Sequence, residues 1–506
     1  MLPLLLLLSV PILFLIGRTR PERALLLWLF LSPLSYDTLV VFGVDLRVVT
    51  FDRLALLASA LGLLANGRLG QLFPSRFSKL EKTMVVFILI FAIEAVVKFP
   101  PRDAFSRWTM GFDSFVVPFY LYLLLKYLLT REQRYNEGLE KRLGMTLALV
   151  GVYCAAMGIY EHITLLDLFP LPPSILAARE MESSLLVGKE IRVNGPFWVA
   201  EILGEYLSLI LLFTLYRYRV GRVINPASRA MAKVIKIPYA LLLLVGMYFT
   251  MYRNVWGGFL GAYSSRYFFT RKGRKSFLLV LTILTLAAAT IWGSFRQTEF
   301  YSDRLTNTDN IYDRLGAWLY AFRAFAEHPL MGIGYGRIDR YIRHAKDAGV
   351  DLRFQEDIEA TYQPHNSIIC LLAENGIFLT VPFLLLIGYF IGHVRACLRL
   401  AKSPADVEFG LFAVAGAFAM FAPHMTDRCL NWNKYNNLLF VLFALVAAHH
   451  AKLVRVVAPT AASVPPGGHT CAGNRQGVAA LTQKGLLPLR SALHPSKNPI
   501  SPIHVV

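Results

Sequence analysis

The sequence predicts an all-helical, polytopic integral membrane protein with about 12–13 transmembrane helices. Of its 506 residues, 55% are hydrophobic and only 17% are charged, and the mean hydropathy is +0.48. Apolar runs recur along most of the chain at lengths near the roughly 20 residues that a helix needs to cross a bilayer. Strongly basic connections alternate with mixed or acidic ones, the pattern left when lysine and arginine are held on one side of a membrane.

The apolar runs lie near 2–17, 24–36, 54–66, 83–98, 109–128, 144–162, 197–216, 237–252, 255–269, 277–293, 367–394, 408–423 and 434–450. The first has no basic residue before its apolar stretch and no small-residue cleavage pattern before Arg18-Thr19-Arg20, so it is expected to be a retained helix and not a signal peptide. The connections 18–23, 68–82, 126–142, 217–236, 271–275 and 395–402 are the basic ones. If each run crosses once they share one side, which the positive-inside rule assigns to the cytoplasm. Thirteen crossings put the N-terminus outside, and twelve put both ends inside. The net charge of +19 is then mainly topological, and no nucleic acid is needed to explain it.

This organisation divides the chain into N-terminal transmembrane helices (1–163), a central core (164–400), C-terminal transmembrane helices (401–451) and a disordered basic cytoplasmic tail (452–506) rich in Pro, Gly, Ala and Ser. Two external loops stand out by length, 164–196 and 294–366. Connections longer than about 15 residues are uncommon unless they serve a function. The larger contains an amphipathic stretch over 314–327 and the turn-rich His328-Pro329-Leu330-Met331-Gly332-Ile333-Gly334-Tyr335-Gly336, so it is expected to be structured. The five cysteines, Cys154, Cys370, Cys397, Cys429 and Cys471, form no CxxC pair and read as small buried hydrophobes, not as a disulfide framework or zinc site. Glu201 and Glu205 lie one helical turn apart, but no nearby His or Asp completes a ligand set, so no metal is expected. Glu94, Asp113 and Glu161 are further acids in or near apolar runs and receive no role from sequence.

Topology sets four elements at the outer boundary: Arg192, Arg253, Arg314 and His365, the last in Tyr362-Gln363-Pro364-His365-Asn366-Ser367. Guanidinium groups stay charged and bind phosphate bidentately, so they suit a lipid-linked diphosphate and the charge that develops as it leaves. An imidazole titrates near neutrality and suits removal of a hydroxyl proton. Structural readings stand beside these. Arg253 can anchor a helix end at the head groups, Arg192 can neutralise Glu190 or Glu201, Arg314 can pair with Asp313 or Asp309, and His365 can simply precede a helix capped by Asn366. His424, Asp427 and Arg428, on the last external loop, are further candidates.

The ordered set Arg314-Leu315-Gly316-Ala317-Trp318, Glu327 to Gly336, Pro364-His365-Asn366-Ser367 and Glu374-Asn375-Gly376 resembles the O-antigen ligase and O-antigen (Wzy-type) polymerase superfamily of bacterial membrane glycosyltransferases. Arg192-Val193-Asn194-Gly195-Pro196-Phe197 and Tyr252-Arg253-Asn254 look like its two arginine-bearing positions. The chain has Trp198-Val199-Ala200-Glu201 where that family often has a Pro-Asn pair. The resemblance implies metal-independent, inverting transfer of a glycan from an undecaprenyl-diphosphate-linked donor to an acceptor hydroxyl, with no cofactor, at the periplasmic face of the inner membrane. It implies that His365 is the base, that Arg192 and Arg253 hold the diphosphate, and that Arg314, Asn366, Gly334, Tyr335 and Glu374 bind substrate. The acceptor would be a glycan or a lipid A core, for lipopolysaccharide or exopolysaccharide, with polysaccharide-assembly proteins as further partners. A protein O-oligosaccharyltransferase shares this chemistry, whereas a transporter or flippase of a lipid-linked saccharide would need charges near the bilayer midplane.

Overall fold

The computed structural model describes residues 2–35, 39–41, 44–46, 49–73, 77–131, 135–165, 192–197, 199–224, 229–268, 274–275, 278–279, 282, 285–286, 309–349 and 364–457. Most of the expected loop 164–196, the apolar run 277–293 and the tail beyond 457 therefore lie outside the described residues. Every other apolar run coincides with a helix.

In chain order these are α1 (Leu2–Thr19), α2 (Pro21–Leu31), α3 (Phe51–Ala65), α4 (Lys79–Lys98), α5 (Pro101–Gly111), α6 (Val117–Thr130), α7 (Glu137–Thr164), α8 (Ala200–Ile224), α9 (Arg229–Phe249), α10 (Arg253–Phe268), α11 (Asp309–Glu327), α12 (Ile338–Asp347), α13 (Ser367–Leu400), α14 (Pro404–Thr426) and α15 (Asn433–Val457). A π-helical turn, Phe112–Val116, joins α5 to α6. Between α2 and α3 a short antiparallel pair, β1 (Leu39–Val41) and β2 (Val44–Leu46), is the one strand feature among the described residues and was not expected from the helical pattern. Five described helices are long and apolar enough to cross a bilayer: Asp103–Thr130, Glu137–Thr164, Ser367–Leu400, Pro404–Thr426 and Asn433–Val456. Leu4–Thr19 and Lys236–Phe249 are shorter apolar helices.

The helices show the inverted patterning of a bilayer environment. Val86, Leu89, Ile93, Val96 and Val97 form an exposed apolar stripe on α4, while its buried face holds Met84, Phe87 and Phe91 together with Glu81 and Glu94. Such a surface is stable against lipid but not against water. The buried acids are matched across helices. Asp52 on α3 accepts from Trp28 Nε1 (2.8 Å) and Lys434 Nζ (2.6 Å), and Arg53 grips Asp113 through Nε and Nη2, both at 2.7 Å. These pairs tie α2, α3, the π-turn and α15 into one frame.

The element that positions the site is a break in α13. At Gly376 (φ 62°, ψ −162°) the helical ladder is interrupted, and the loop 329–334 enters the gap. Ile333 and Gly334 donate their backbone N–H groups to the carbonyls of Ala373 (3.0 Å) and Glu374 (2.7 Å), while Ile377 and Phe378 donate to Pro329 (3.0 Å) and Leu330 (3.2 Å). The broken helix thus recovers its backbone bonds from the loop, as backbone in an apolar setting must. The glycines explain themselves: a Cβ on Gly332 would stand 2.2 Å from the Glu374 carbonyl carbon, and one on Gly376 would stand 2.4 Å from that of Leu330. Lys98 Nζ bonds Gly332 O (2.7 Å), and Asn375 Nδ2 bonds Glu94 Oε1 (2.6 Å), fixing the lock to α4. Above it, α11 and α12 form a small core of Ala317, Tyr320, Ala321, Ala324, Ile338 and Ile342 against Ala373.

Gly332→Ala is therefore expected to cost about 2–5 kcal/mol from steric overlap and a left-handed φ together. Gly67→Ala serves as the control, because Gly67 has φ +65° but open space around it. That change should cost only about 1–2 kcal/mol. Thermal unfolding of the two purified variants would refute the lock if they melt alike.

Candidate active site

Each residue of Pro364-His365-Asn366-Ser367 has a separate local task. The Pro364 carbonyl accepts the Trp318 indole N–H from α11. His365 adopts φ 44°, a left-handed conformation that costs a non-glycine residue about 1–2 kcal/mol. Asn366 caps α13, its Oδ1 accepting from Ile368 N and Ile369 N (both 3.0 Å), and its Nδ2 donates to Met425 O (3.1 Å). Ser367 Oγ donates to Asp427 O (2.8 Å), accepts from Cys429 N (2.9 Å) and lies 3.0 Å from Nδ1 of His424. The start of α13 is thereby bolted to the segment 425–429 at the end of α14, and the residue this brings to the imidazole is Asp427.

His365 Nδ1 lies 3.5 Å from Asp427 Oδ1, an electrostatic contact somewhat longer than a hydrogen bond. Asp427 also accepts from the Tyr252 hydroxyl through Oδ2 and from the Arg428 backbone N–H through Oδ1 (2.7 Å). Burial pushes the Asp427 carboxyl up, but the nearby His365 imidazole and the hydrogen bonds from Tyr252 and the Arg428 amide outweigh it and hold the pKa below the ordinary 3.8. The Tyr252 hydroxyl is pushed far up by burial and by the negative charges of Asp427 and Glu201, so it stays a proton donor, with Arg314 acting in the opposite sense. Glu205 acts electrostatically on Asp427, which brings the Glu201/Glu205 face of α8 to the same place.

Tyr252 is also the link to the arginines. It precedes Arg253, the exposed first residue of α10, and follows Met251, whose φ of 52° makes a second left-handed turn beside the site. Val193 N donates to Phe249 O (3.2 Å), so the Arg192 segment is hydrogen-bonded to the end of α9, four residues before Arg253. Glu161 Oε2 accepts from Asn194 N (3.0 Å) and Gly195 N (2.9 Å), which holds that segment in place.

His365 is thus linked through Asp427 to the Tyr252-Arg253 pair, the Arg192 segment is linked to the same turn through the end of α9, and Arg314 acts electrostatically on Tyr252. The other expected site residues sit in the lock beneath. Gly334 (φ 105°) packs its backbone against Phe99. Tyr335 is buried with its ring against Phe91 (5.1 Å) and Phe115 (6.3 Å). Glu374 is 1% exposed, accepts Ile338 N (3.1 Å) and takes Arg428 Nη2 on both oxygens (2.7 and 2.9 Å). The Arg428 guanidinium, whose pKa burial depresses but Glu374 and its neighbours more than restore, also meets Asp339 at 3.6 Å. Sequence reasoning gave no part to Tyr252 and only a passing one to Asp427. The one available signal was that each adjoins a charged residue already singled out, Arg253 and Arg428. Among the described residues, no group of three His, Cys, Asp and Glu side chains converges as metal ligands would.

A pH dependence follows from Asp427. Its folded pKa is depressed, so its pairing stabilises the fold fully above pH 3.8 and is lost as pH falls below that through the folded value. Asp427→Asn should therefore be less stable than the native protein at neutral pH, and the gap should close in acid. A gap in denaturation midpoint that does not change with pH would contradict the pairing.

Residues 238–384 match the family model described as O-Antigen ligase, a stretch that holds Arg253, Arg314, the 329–334 loop, His365 and the break at Gly376 and leaves out Arg192 and Asp427. No curated protein shows significant similarity to the chain. Residues 238–384 are therefore similar to the O-antigen ligase family, and they lie among helices long and apolar enough to cross a membrane.

Proposed function

We propose that the protein transfers a glycan from an undecaprenyl-diphosphate-linked donor to a hydroxyl of an acceptor sugar, at the periplasmic face of the bacterial inner membrane. The observation that carries this reading is the His365 imidazole facing Asp427, itself held by Tyr252 and the Arg428 amide. In this reading Nε2 of His365 takes the acceptor hydroxyl proton as the oxygen attacks the anomeric carbon. The bond from that carbon to the diphosphate oxygen breaks on the opposite face, and undecaprenyl diphosphate leaves with the electron pair. Configuration inverts in a single displacement. Asp427 orients the ring by accepting at Nδ1 and stabilises the imidazolium, a contact that shortens when the acceptor closes the site. Arg192 and Arg253, with Arg314, meet the diphosphate and the charge that grows on it.

Gly334, Tyr335, Glu374 and Asn366 serve the substrate in this scheme by holding the loop and the start of α13 in register. The acceptor is a lipid A core if the protein is a ligase, or a second lipid-linked repeat if it is a polymerase.

In membranes supplied with a lipid-linked glycan, His365→Ala should abolish product while the protein remains inserted and the donor accumulates. Asp427→Asn should lower the rate by about 10²–10⁴-fold, the range of a general base deprived of its orientation. Product of native amount and length from His365→Ala would overturn the reading. Whether glycan appears on lipid A core or as longer lipid-linked chains separates ligase from polymerase.

A further inference from the structure

A second cationic region adjoins the site without belonging to it. From His365 a line of contacts passes to Asp427, through the Arg428 backbone and guanidinium, to Asp339 on α12. The residue after Asp339 lines an open cleft of about 490 Å³, walled by Lys98, His328, Arg337, Arg340, Tyr341 and His344. Its walls come from the end of α4, the 328–337 turn and α12, none of which carries Arg192 or Arg253.

Among the described residues, carboxylates neutralise few of the charges of this cleft; Glu94 acts on Lys98 electrostatically without an ion pair. The nearby acids are already engaged: Glu327 accepts from Arg323 Nε (2.9 Å) and the Tyr341 hydroxyl (2.7 Å), and Asp339 and Glu374 both face Arg428. Among the described residues no carboxylate lies within ion-pair distance of Lys98, Arg337 or Arg340. The cations are also held in place. The Arg337 guanidinium stacks 4.1 Å from the Phe99 ring, Arg107 stands 5.7 Å from the same ring, and Lys98 is fixed on the Gly332 carbonyl. A guanidinium stacked by its face keeps its edge donors available for bidentate contact with phosphate. Like charges gathered and fixed in one cleft repel each other, and a bound polyanion relieves that repulsion.

We propose that the cleft formed by Lys98, Arg337, Arg340 and His344 binds a phosphate group that enters from the acceptor side, separate from the donor diphosphate. The phosphate belongs either to a phosphorylated sugar or to a phospholipid head group. The acceptor role rests on the reading of His365 given above, whereas the binding of phosphate does not. Two anion sites joined through Arg428 would set a phosphorylated acceptor at a fixed distance from the base.

The test uses the full chain in neutral phosphatidylcholine nanodiscs, with pyrophosphate titrated by calorimetry and with phosphatidylglycerol retention from mixed vesicles counted by native mass spectrometry. Arg337→Gln/Arg340→Gln should weaken one pyrophosphate site at least tenfold or cut phosphatidylglycerol retention at least threefold. Arg340→Gln alone, at an exposed position that leaves packing intact, should give a smaller loss in the same direction. Loss for pyrophosphate alone assigns the site to a sugar phosphate, and loss of retained lipid assigns it to a head group. Arg343→Gln/Lys346→Gln removes the same charge from α12 outside the cleft and should change neither. Unchanged binding in the Arg337/Arg340 variant, or an equal loss in the Arg343/Lys346 control, overturns the proposal. Arg192→Gln/Arg253→Gln should leave the cleft site intact, and so should His365→Ala. Failure of the catalytic reading is thereby read separately.

Discussion

The Glu374 carboxylate is the fixed point on which the site's geometry depends. It is buried in the broken stretch of α13 and takes Arg428 from the segment after α14, while one of its oxygens also accepts the first amide of α12. A buried carboxylate with a single donor would be unfavourable, but one satisfied from two sides on two separate elements becomes a joint. Because Arg428 is held there, its own backbone N–H is held against Asp427, and Asp427 is held against His365. Removing the carboxylate would leave Arg428 buried without its strongest partner and free the segment that carries Asp427. The residue therefore fixes the placement of Asp427 and His365 from a position in the core.

The break in α13 makes that arrangement possible. An unbroken helix would consume the Ala373 and Glu374 carbonyls internally and offer no edge to the 329–334 loop. Gly376 ends the ladder, and Gly332 lets the loop backbone approach to where no side chain fits. The two glycine-bearing motifs are halves of one interface, and their order in sequence follows from a loop returning to the helix that comes after it. The same lock places Lys98 and Arg337 at the mouth of the basic cleft, so the two cationic regions share one scaffold.

The helices were legible because lipid demands long apolar runs, a signal that survives without any knowledge of packing. The cap at Asn366 was legible for a local reason, an Asn before an apolar run. Asp427 and Tyr252 were not, since their value lies in a contact across 175 residues that no spacing rule encodes. The break at Gly376 was hidden as well, because an apolar run containing one glycine reads as a continuous span. Glu374 and Tyr335 were visible as motif members, yet only the partners Arg428, Phe91 and Phe115 show that they lie in the core. The strand pair 39–41 and 44–46 was missed for a similar reason: three-residue strands carry too little periodicity to compete with flanking apolar helices.

Backbone strain explains why so many hydrogen bonds converge on so few residues. His365 and Met251 are two of the three non-glycine residues with positive φ among those described, and they flank the Tyr252–Asp427 contact from opposite sides. A histidine in the left-handed region returns to an ordinary conformation unless its neighbours forbid it. Here Pro364 is held by Trp318, Asn366 by Met425 and its own cap, and Ser367 by Asp427, Cys429 and His424. The direction of the imidazole is thus set by the main chain on both sides of it, before any side-chain contact is made. Asp427 completes that orientation at 3.5 Å, on a ring that the main chain has already aimed.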